Sequence, residues 1–386
     1  MKKSILMGLF YMQKGFVFIL SIFLTPKSIN EKNDTWVVGT EEVAHCVYNI
    51  SKALDKSISI SLGYHRFYQS SYDYQINIRN KYLAFFIKLF YGPYLFVSLS
   101  NQYDSFFYVG GAGFLISYTD GRAFEFKFLT KRNKKIVCYF TGSEIRSFEL
   151  MKEIGKQYNI DVITDYQKML NPSIASSEAE DRRKKLALSA DKYARLIFNA
   201  SIDQKSYTTR QNEPFLYFHP DHLFVKNDEK FERLPIRILH APSNPFSKGT
   251  PIVRAAITKL KKEGYLFEYI ELIHVSHEEV LNALRKSQIV LNEFYAFMPG
   301  VFGVEALASH CALLTSANAD IETSLPQDSN EAWLVTGYWE IYDHLKLVLD
   351  EPSLQKSYAD KGYLWAQKHA SFSHARTKLT QLLDFS

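Results

Sequence analysis

Apolar positions along this chain follow two alternating periods. Residues 36–38 form a short apolar run that ends at Gly39 and predicts a strand. Over 41–54, Val43, Val47, Ile50 and Leu54 fall on one helical face. Residues 58–62 then alternate like a strand with one face on a core. The apolar run 135–140 predicts a buried strand, which passes into Thr141-Gly142-Ser143-Glu144-Ile145-Arg146. A polar helix is expected over 178–189 and a strand over 194–199. The stretch 64–101 is aromatic and irregular, and only a helix near 81–90 is legible there.

The second half is clearer. Strands are expected at 236–240, 267–275, 289–291 and 312–315. After the first of these comes a loop, 241–249. Thr250 then reads as the cap of a helix whose first residue is Pro251 and which turns Ile252, Val253, Ala256, Ile257 and Leu260 inward. Ser276-His277-Glu278-Glu279 is a capping box that opens another helix. A short helix is expected over 304–310, and longer ones over 338–349, 353–369 and on to 383. Strands that alternate with helices of these lengths require parallel crossovers. The predicted fold is α/β, with two Rossmann-like domains, each on a parallel sheet, and a ligand cleft between them at the carboxyl ends of the strands. The expected divisions are an N-terminal segment 1–35, a first domain 36–215, a linker 216–233 within a charged stretch of few periodic signals that holds Pro214 and Pro220, and a second domain 234–386 that includes the closing helices.

The N-terminal segment departs from this pattern. Residues 4–24 are apolar except for Gln13 and Lys14, and about 20 such residues suffice to cross a bilayer. A small-residue cleavage pattern is absent. Two readings stand. The segment either lies on or dips into the cytosolic leaflet, with Lys2, Lys3, Lys14 and Lys27 at headgroup level, or it is a first helix packed on the domain.

Composition narrows the class. The 386 residues are 46% hydrophobic and 23% charged, which is globular and long enough for two domains. The net charge of +5 is too mild and too dispersed for a nucleic-acid surface, but suits anionic ligands or lipids. The 29 Phe and 25 Tyr fit large cores in the first instance, and sugar or lipid surfaces in the second. Cys46, Cys138 and Cys311 lack ligand or disulfide spacing, so buried thiols are expected. No Asp-x-Asp occurs, and no metal is expected.

Two segments combine chemistry with suitable local structure. In His240-Ala241-Pro242-Ser243-Asn244-Pro245-Phe246-Ser247-Lys248-Gly249-Thr250 a strand ends, a loop follows and a helix begins. A helix N-terminus beside Lys248, with Gly249 permitting close approach, is a phosphate-binding arrangement. An ordinary loop with an exposed lysine would read the same. The second segment is Pro299-Gly300-Val301-Phe302-Gly303-Val304-Glu305-Ala306-Leu307-Ala308. It places Glu305 in the first turn of an apolar helix. There a buried carboxylate needs a partner, which a ribose or sugar hydroxyl pair supplies, or else it compensates the helix dipole. His240, His274 and His277 lie near the same face, as structural groups or as ligand contacts. In the first domain, Glu144 and Arg146 follow a buried strand. Glu144 can take a proton from an acceptor hydroxyl and Arg146 can grip an acceptor phosphate, or the two form a surface pair.

Together these segments resemble the nucleotide-binding half of GT-B glycosyltransferases, most closely family 4 and its relatives in bacterial surface-polysaccharide assembly. Lys248-Gly249 matches the family's Lys-Gly at the donor diphosphate. Gly300, Gly303 and Glu305 match the glycines and the ribose-holding glutamate that open a later helix. The run from Tyr139 to Arg146 resembles a first-domain strand end of such enzymes. The resemblance covers roughly 36–386 and is patchier in the first domain. Three positions depart from the pattern: Ser243 stands where the family often has arginine, Phe297 where its first glutamate falls, and Thr141 where a histidine often precedes the glycine.

The resemblance implies metal-independent transfer of a sugar from a nucleotide diphosphate to a glycan or lipid-linked glycan, without a cofactor. It makes Glu144, Lys248 and Glu305 the expected catalytic residues, with substrate contacts at Gly142, Ser143, Arg146, Ser243, Gly249, Thr250, Gly300, Phe302 and Gly303. The expected partners are the nucleotide sugar, the acceptor and a cytosolic membrane surface, with a place in the cytoplasm on the inner face of the cell membrane. The three departures also suit a non-catalytic GT-B-like subunit. A dinucleotide oxidoreductase has only Gly110-Gly111-Ala112-Gly113 in its favour, which lacks the third glycine and the distal acid.

Overall fold

The structure is a computed structural model and describes residues 3–24, 34–64, 70–116 and 119–384. Lys2 and Lys27 lie outside these residues. Two sheets organise the chain. The first contains β1 (Trp36–Thr40), β2 (Ser57–Ser61), β3 (Tyr74–Gln75), β4 (Ser105–Val109), β5 (Lys135–Tyr139) and β6 (Leu196–Phe198), in the order β3-β2-β1-β4-β5-β6. The second contains β7 (Ile236–His240), β8 (Phe267–Glu271), β9 (Ile289–Leu291), β10 (Ala312–Thr315) and β11 (Leu334–Val335), in the order β11-β10-β9-β7-β8. Every pairing is parallel. The predicted α/β architecture of two parallel sheets is the one observed.

Helices cover the sheets as parallel crossovers demand. In chain order they are α1 (Lys3–Phe23), α2 (Cys46–Ala53), α3 (Lys81–Ser100), α4 (Ala123–Thr130), α5 (Phe148–Tyr158), α6 (Ile163–Leu170), α7 (Ser177–Tyr193), α8 (Thr250–Lys262), α9 (His277–Leu284), α10 (Gly300–Ala308), α11 (Ser329–Ala332), α12 (Ile341–Asp350), α13 (Pro352–His369) and α14 (Phe372–Asp384). Strand β4, buried along its whole length, occupies the centre of the first sheet. Its Ser-Phe-Phe-Tyr-Val carries no alternation because both faces are covered.

Several boundaries moved for local reasons. Helix α2 starts at Cys46 because Ala44 and His45 take positive φ, and Glu42 caps it by accepting from the Val47 and Tyr48 amides. Helix α3 runs ten residues past the expected end, through Pro93. Strand β8 stops at Glu271. Helix α10 begins at Gly300, so Glu305 lies in its second turn and not its first. Gly249, at φ 83°, is the N-cap of α8, and Thr250 is the first helical residue.

The two domains are tied by the linker segment 216–218 and by the chain's last helix. Leu216, Tyr217 and Phe218 are buried, and the Tyr139 hydroxyl donates to the Leu216 carbonyl at 2.6 Å. Helix α14 leaves the second domain and returns to the first, where Ala375 and Leu379 join Val38, Val47 and Phe198 in one core. Helix α1 packs along α3. Its Phe10, Gln13 and Val17 face the domain, and Gln13 donates to the Leu89 carbonyl and accepts from the Ile116 amide. The other face of α1 leaves Tyr11, Phe18, Ile22 and Phe23 exposed.

Candidate functional site

In a doubly wound sheet the ligand crevice opens where strand order reverses, outside the carboxyl ends of the strands. The first sheet reverses between β1 and β4, where Glu41 follows β1 and Gly110-Gly111 follows β4. The second reverses between β7 and β9. There the loop 241–249 and the loop 292–299 lie side by side, with Lys248 on one and Glu293 on the other.

Lys248 forms an ion pair with Glu293. Burial pushes the Glu293 carboxyl above its ordinary pKa, against the pull of the Lys248 charge. A Cβ at Gly300 would lie 3.1 Å from Glu293 Oε1, so this carboxylate sits at the N-terminus of α10. Glu293 thus occupies a place suited to an anion, between a lysine and a helix N-terminus. In sequence Glu293 lies near Phe297, where the family's first glutamate falls, but out of register with it. Its position directly after β9, at the reversal, was the available signal. Phe297 is buried nearby and donates its amide to Asp203 Oδ1 at 2.7 Å.

The start of α8 is closed on itself in this conformation. Amides of Lys248, Gly249 and Thr250 donate to carbonyls of Asn244, Phe246 and Pro245. Thr250 is fully buried. His240 Nδ1 lies 2.8 Å from the Leu291 carbonyl, which can only accept, so Nδ1 carries the proton. The Thr250 hydroxyl therefore donates to Nε2 at 2.8 Å. Burial pushes the His240 pKa down to about 4, consistent with that neutral ring. Both are structural here, and the substrate contact expected from the Thr250 side chain is not available. Ser243 is exposed on the same loop. Gly249 packs against Phe294 and Tyr295, and Tyr166 of α6 stacks on Tyr295 with ring centroids 3.7 Å apart.

Glu305 is buried, and its partner is a protein group: His277 Nε2 donates to its Oε1 at 2.7 Å. That hydrogen bond raises the His277 pKa. The pair borders a cavity of about 50 Å³ between the domains, lined also by His45, Tyr139, Tyr217 and His219. Gly303 is needed for packing, since a Cβ there would come within 2.8 Å of Asn292 Nδ2. Phe302 is half-buried against the second core.

The first-domain residues divide into two groups. Arg146 is buried and spent on Asp203, donating from Nε to its carbonyl and from Nη2 to Oδ2, each at 2.5 Å. It is neither a surface partner of Glu144 nor free to hold a phosphate. The Gly142 carbonyl accepts from the Ile145 and Arg146 amides, and the exposed Ser143 offers its carbonyl to Arg183. Glu144 instead turns into a second cavity of about 330 Å³, which Glu41, Lys88, Gly111 and Arg182 also line. Its carboxylate accepts from the Thr141 amide and hydroxyl. Burial, then the neighbouring Glu41 charge, raise its pKa, and the Thr141 hydrogen bonds oppose the rise. The three cysteines are buried and free. Asp228, His310 and Asp360 cluster within metal-ligating distance, but Lys226 and Lys356 neutralise the two acids.

No family model matches the chain, and no curated protein matches it in sequence. Solved structures do. A sucrose-phosphate synthase from Thermosynechococcus elongatus superposes with a TM-score of 0.56 over 91% of this chain and 98% of its own, at 11% identity. WaaG, a glycosyltransferase involved in lipopolysaccharide biosynthesis, superposes with a TM-score of 0.52 over 90% and 99%, at 10% identity. At such identities the likeness speaks for the fold, and the fold of this chain is GT-B.

Proposed function

We propose that this protein is a glycosyltransferase that moves a sugar from a nucleotide-diphosphate donor to a glycan or lipid-linked glycan, without a metal ion. The observation that carries this reading is the placement of Lys248 at the strand reversal of the second sheet, with Glu305 on α10 behind the same crevice. The Lys248 ammonium and the N-terminus of α10 suit the diphosphate, and the Glu305 carboxylate suits paired ribose hydroxyls. Glu144 follows β5 and lines the 330 Å³ cavity of the first domain, where burial raises its pKa as suits a general base.

The working place is a membrane surface on the cytosolic side, where nucleotide sugars are made. Helix α1 spans about 30 Å, contains no acidic residue and presents one apolar face to the domain and the other outward. Helix α3 also lacks acidic residues and exposes Tyr82, Leu83, Phe86 and Phe90. Such a pair suits the interfacial layer, where cations and aromatic rings are favoured.

The test is calorimetry with nucleoside diphosphates and donor sugars, followed by donor turnover. Lys248→Ala and Glu305→Ala should each weaken nucleotide binding by at least ten-fold, the order expected for a lost charge-assisted hydrogen bond. Wild-type protein that binds no nucleotide sinks the proposal. Nucleotide binding without turnover selects the second reading, a non-catalytic GT-B-like subunit. That reading is favoured by Glu293 already neutralising Lys248.

A further inference from the structure

The 330 Å³ cavity of the first domain lies at the strand reversal of its sheet, and its roof is α3. One roof residue, Lys88, has no hydrogen-bond or ion-pair partner among the described residues. Burial pushes its pKa down, while Glu125 and Glu41 draw it up. The other charges at the cavity are committed differently. Arg183 donates to the Ser143 and Ile174 carbonyls and pairs with Glu180. Glu41 Oε2 accepts from the Gly111 and Ala112 amides, and Glu144 Oε1 accepts from Thr141. Each of these two carboxylates keeps a second oxygen. Arg182 stands exposed at the rim.

The Lys88 ammonium is half-buried at the cavity wall, with Glu125 and Glu41 near it but not in hydrogen-bond contact, so an anion that enters gains a charge-assisted hydrogen bond there. The same helix that holds Lys88 inward carries exposed Tyr82, Phe86 and Phe90, beside the exposed face of α1. A ligand reaching Lys88 from the apolar face of α3 must be apolar at one end and anionic at the other. We infer that the cavity is the acceptor site and that the acceptor is an amphiphile with a phosphate-type anionic head, seated against Lys88 and Arg182 with its chain along α1 and α3. This deepens the glycosyltransferase reading in one respect only, the presentation of an acceptor hydroxyl to Glu144. In that step the hydroxyl oxygen bonds the anomeric carbon of the donor sugar and the bond from that carbon to the diphosphate oxygen breaks. The nucleoside diphosphate leaves with the electron pair, and the hydroxyl proton passes to Glu144.

The experiment is co-sedimentation of the full chain with vesicles of phosphatidylcholine alone and of phosphatidylcholine with phosphatidate, each with and without soluble glycerol phosphate. Phosphatidate should raise binding, and Lys88→Gln should lower that increment by about ten-fold. Lys88→Arg should restore it, and Lys81→Gln, at the exposed start of the same helix, should leave most of it. Equal phosphatidate binding by wild type and Lys88→Gln overturns the inference. So does full competition by glycerol phosphate at comparable concentration, which would make the ligand a soluble anion. Vesicle binding indifferent to phosphatidate overturns it as well, leaving the apolar face to a protein partner or to lipid without headgroup selection. Lys88-dependent binding without sugar transfer keeps the inference and removes the glycosyltransferase reading. Transfer to acceptors unaffected by Lys88→Gln does the reverse.

Discussion

The Lys248 ammonium is ion-paired with the Glu293 carboxylate, across the strand reversal of the second sheet. A diphosphate approaching Lys248 meets a carboxylate already there. Either Glu293 yields, or its charge repels the ligand. Glu293→Gln keeps the shape and removes the charge. We expect nucleoside diphosphate to bind about ten-fold more tightly to this variant, a gain of about 1.4 kcal/mol. Calorimetry reads the change directly. Weaker binding would mean that Glu293 orients Lys248 for the ligand instead of standing in for it.

The His277–Glu305 pair makes stability depend on pH. The folded pKa of His277 is raised, chiefly by its hydrogen bond to Glu305. A raised folded pKa favours the native state fully below the unfolded value, and the contribution fades as pH rises through the folded value. Urea midpoints should therefore fall between about pH 6.5 and the alkaline end of the neutral range. His277→Gln should flatten that slope. A slope unchanged in the variant would place the titration elsewhere.

The fold was legible where one periodicity ran cleanly, and the site only where backbone geometry alone decided it. Strands β7, β9 and β10 stand where the apolar runs put them. Strand β4 was missed because a strand buried on both faces has no alternation, and its Ser-Phe-Phe-Tyr-Val shows no period of its own. Helix α3 was cut short because Pro93 and its aromatic neighbours mask the period. Lys248 and Glu305 were visible as residues, but their partners were not. Glu293 and His277 are distant in sequence and meet them only through sheet order. Arg146 looked like a phosphate grip because Asp203 is brought to it by tertiary structure alone. Cavity-facing Lys88 was hidden for the same reason, inside a helix that reads as apolar.

Arg146 and Asp203 join the two domains, since Asp203 also accepts from the Phe297 amide. Both side chains of the pair are at most 8% exposed. Removing one partner strands a buried charge, at about 3–5 kcal/mol. Asp203→Ala should lower the unfolding midpoint accordingly. Arg146→Met, which removes the other charge but keeps volume, should also destabilise. The double variant should recover part of the loss, because neither charge is then left alone. Nucleotide binding at Lys248 should survive in each variant that folds. If Arg146→Met left stability intact but abolished transfer, Arg146 would belong to the chemistry after all.

Gln13 is the polar anchor of an otherwise apolar α1. Its amide bridges the Leu89 carbonyl of α3 and the Ile116 amide of the loop after β4. Replacing it by leucine improves the apolar surface yet leaves two buried backbone groups unpaired, at about 1–3 kcal/mol each. The loss outweighs the roughly 1–2 kcal/mol that a better-buried aliphatic side chain returns. Gln13→Leu should therefore loosen α1 from the domain. Amide hydrogen exchange should show the Ile116 amide and the inner face of α1 exchanging at least ten-fold faster, while β1 and β4 keep their protection. Unchanged protection at Ile116 would mean that apolar packing of Phe10 and Val17 alone holds the helix in place. In that case α1 would be a component of the first core first and a lipid-facing element second.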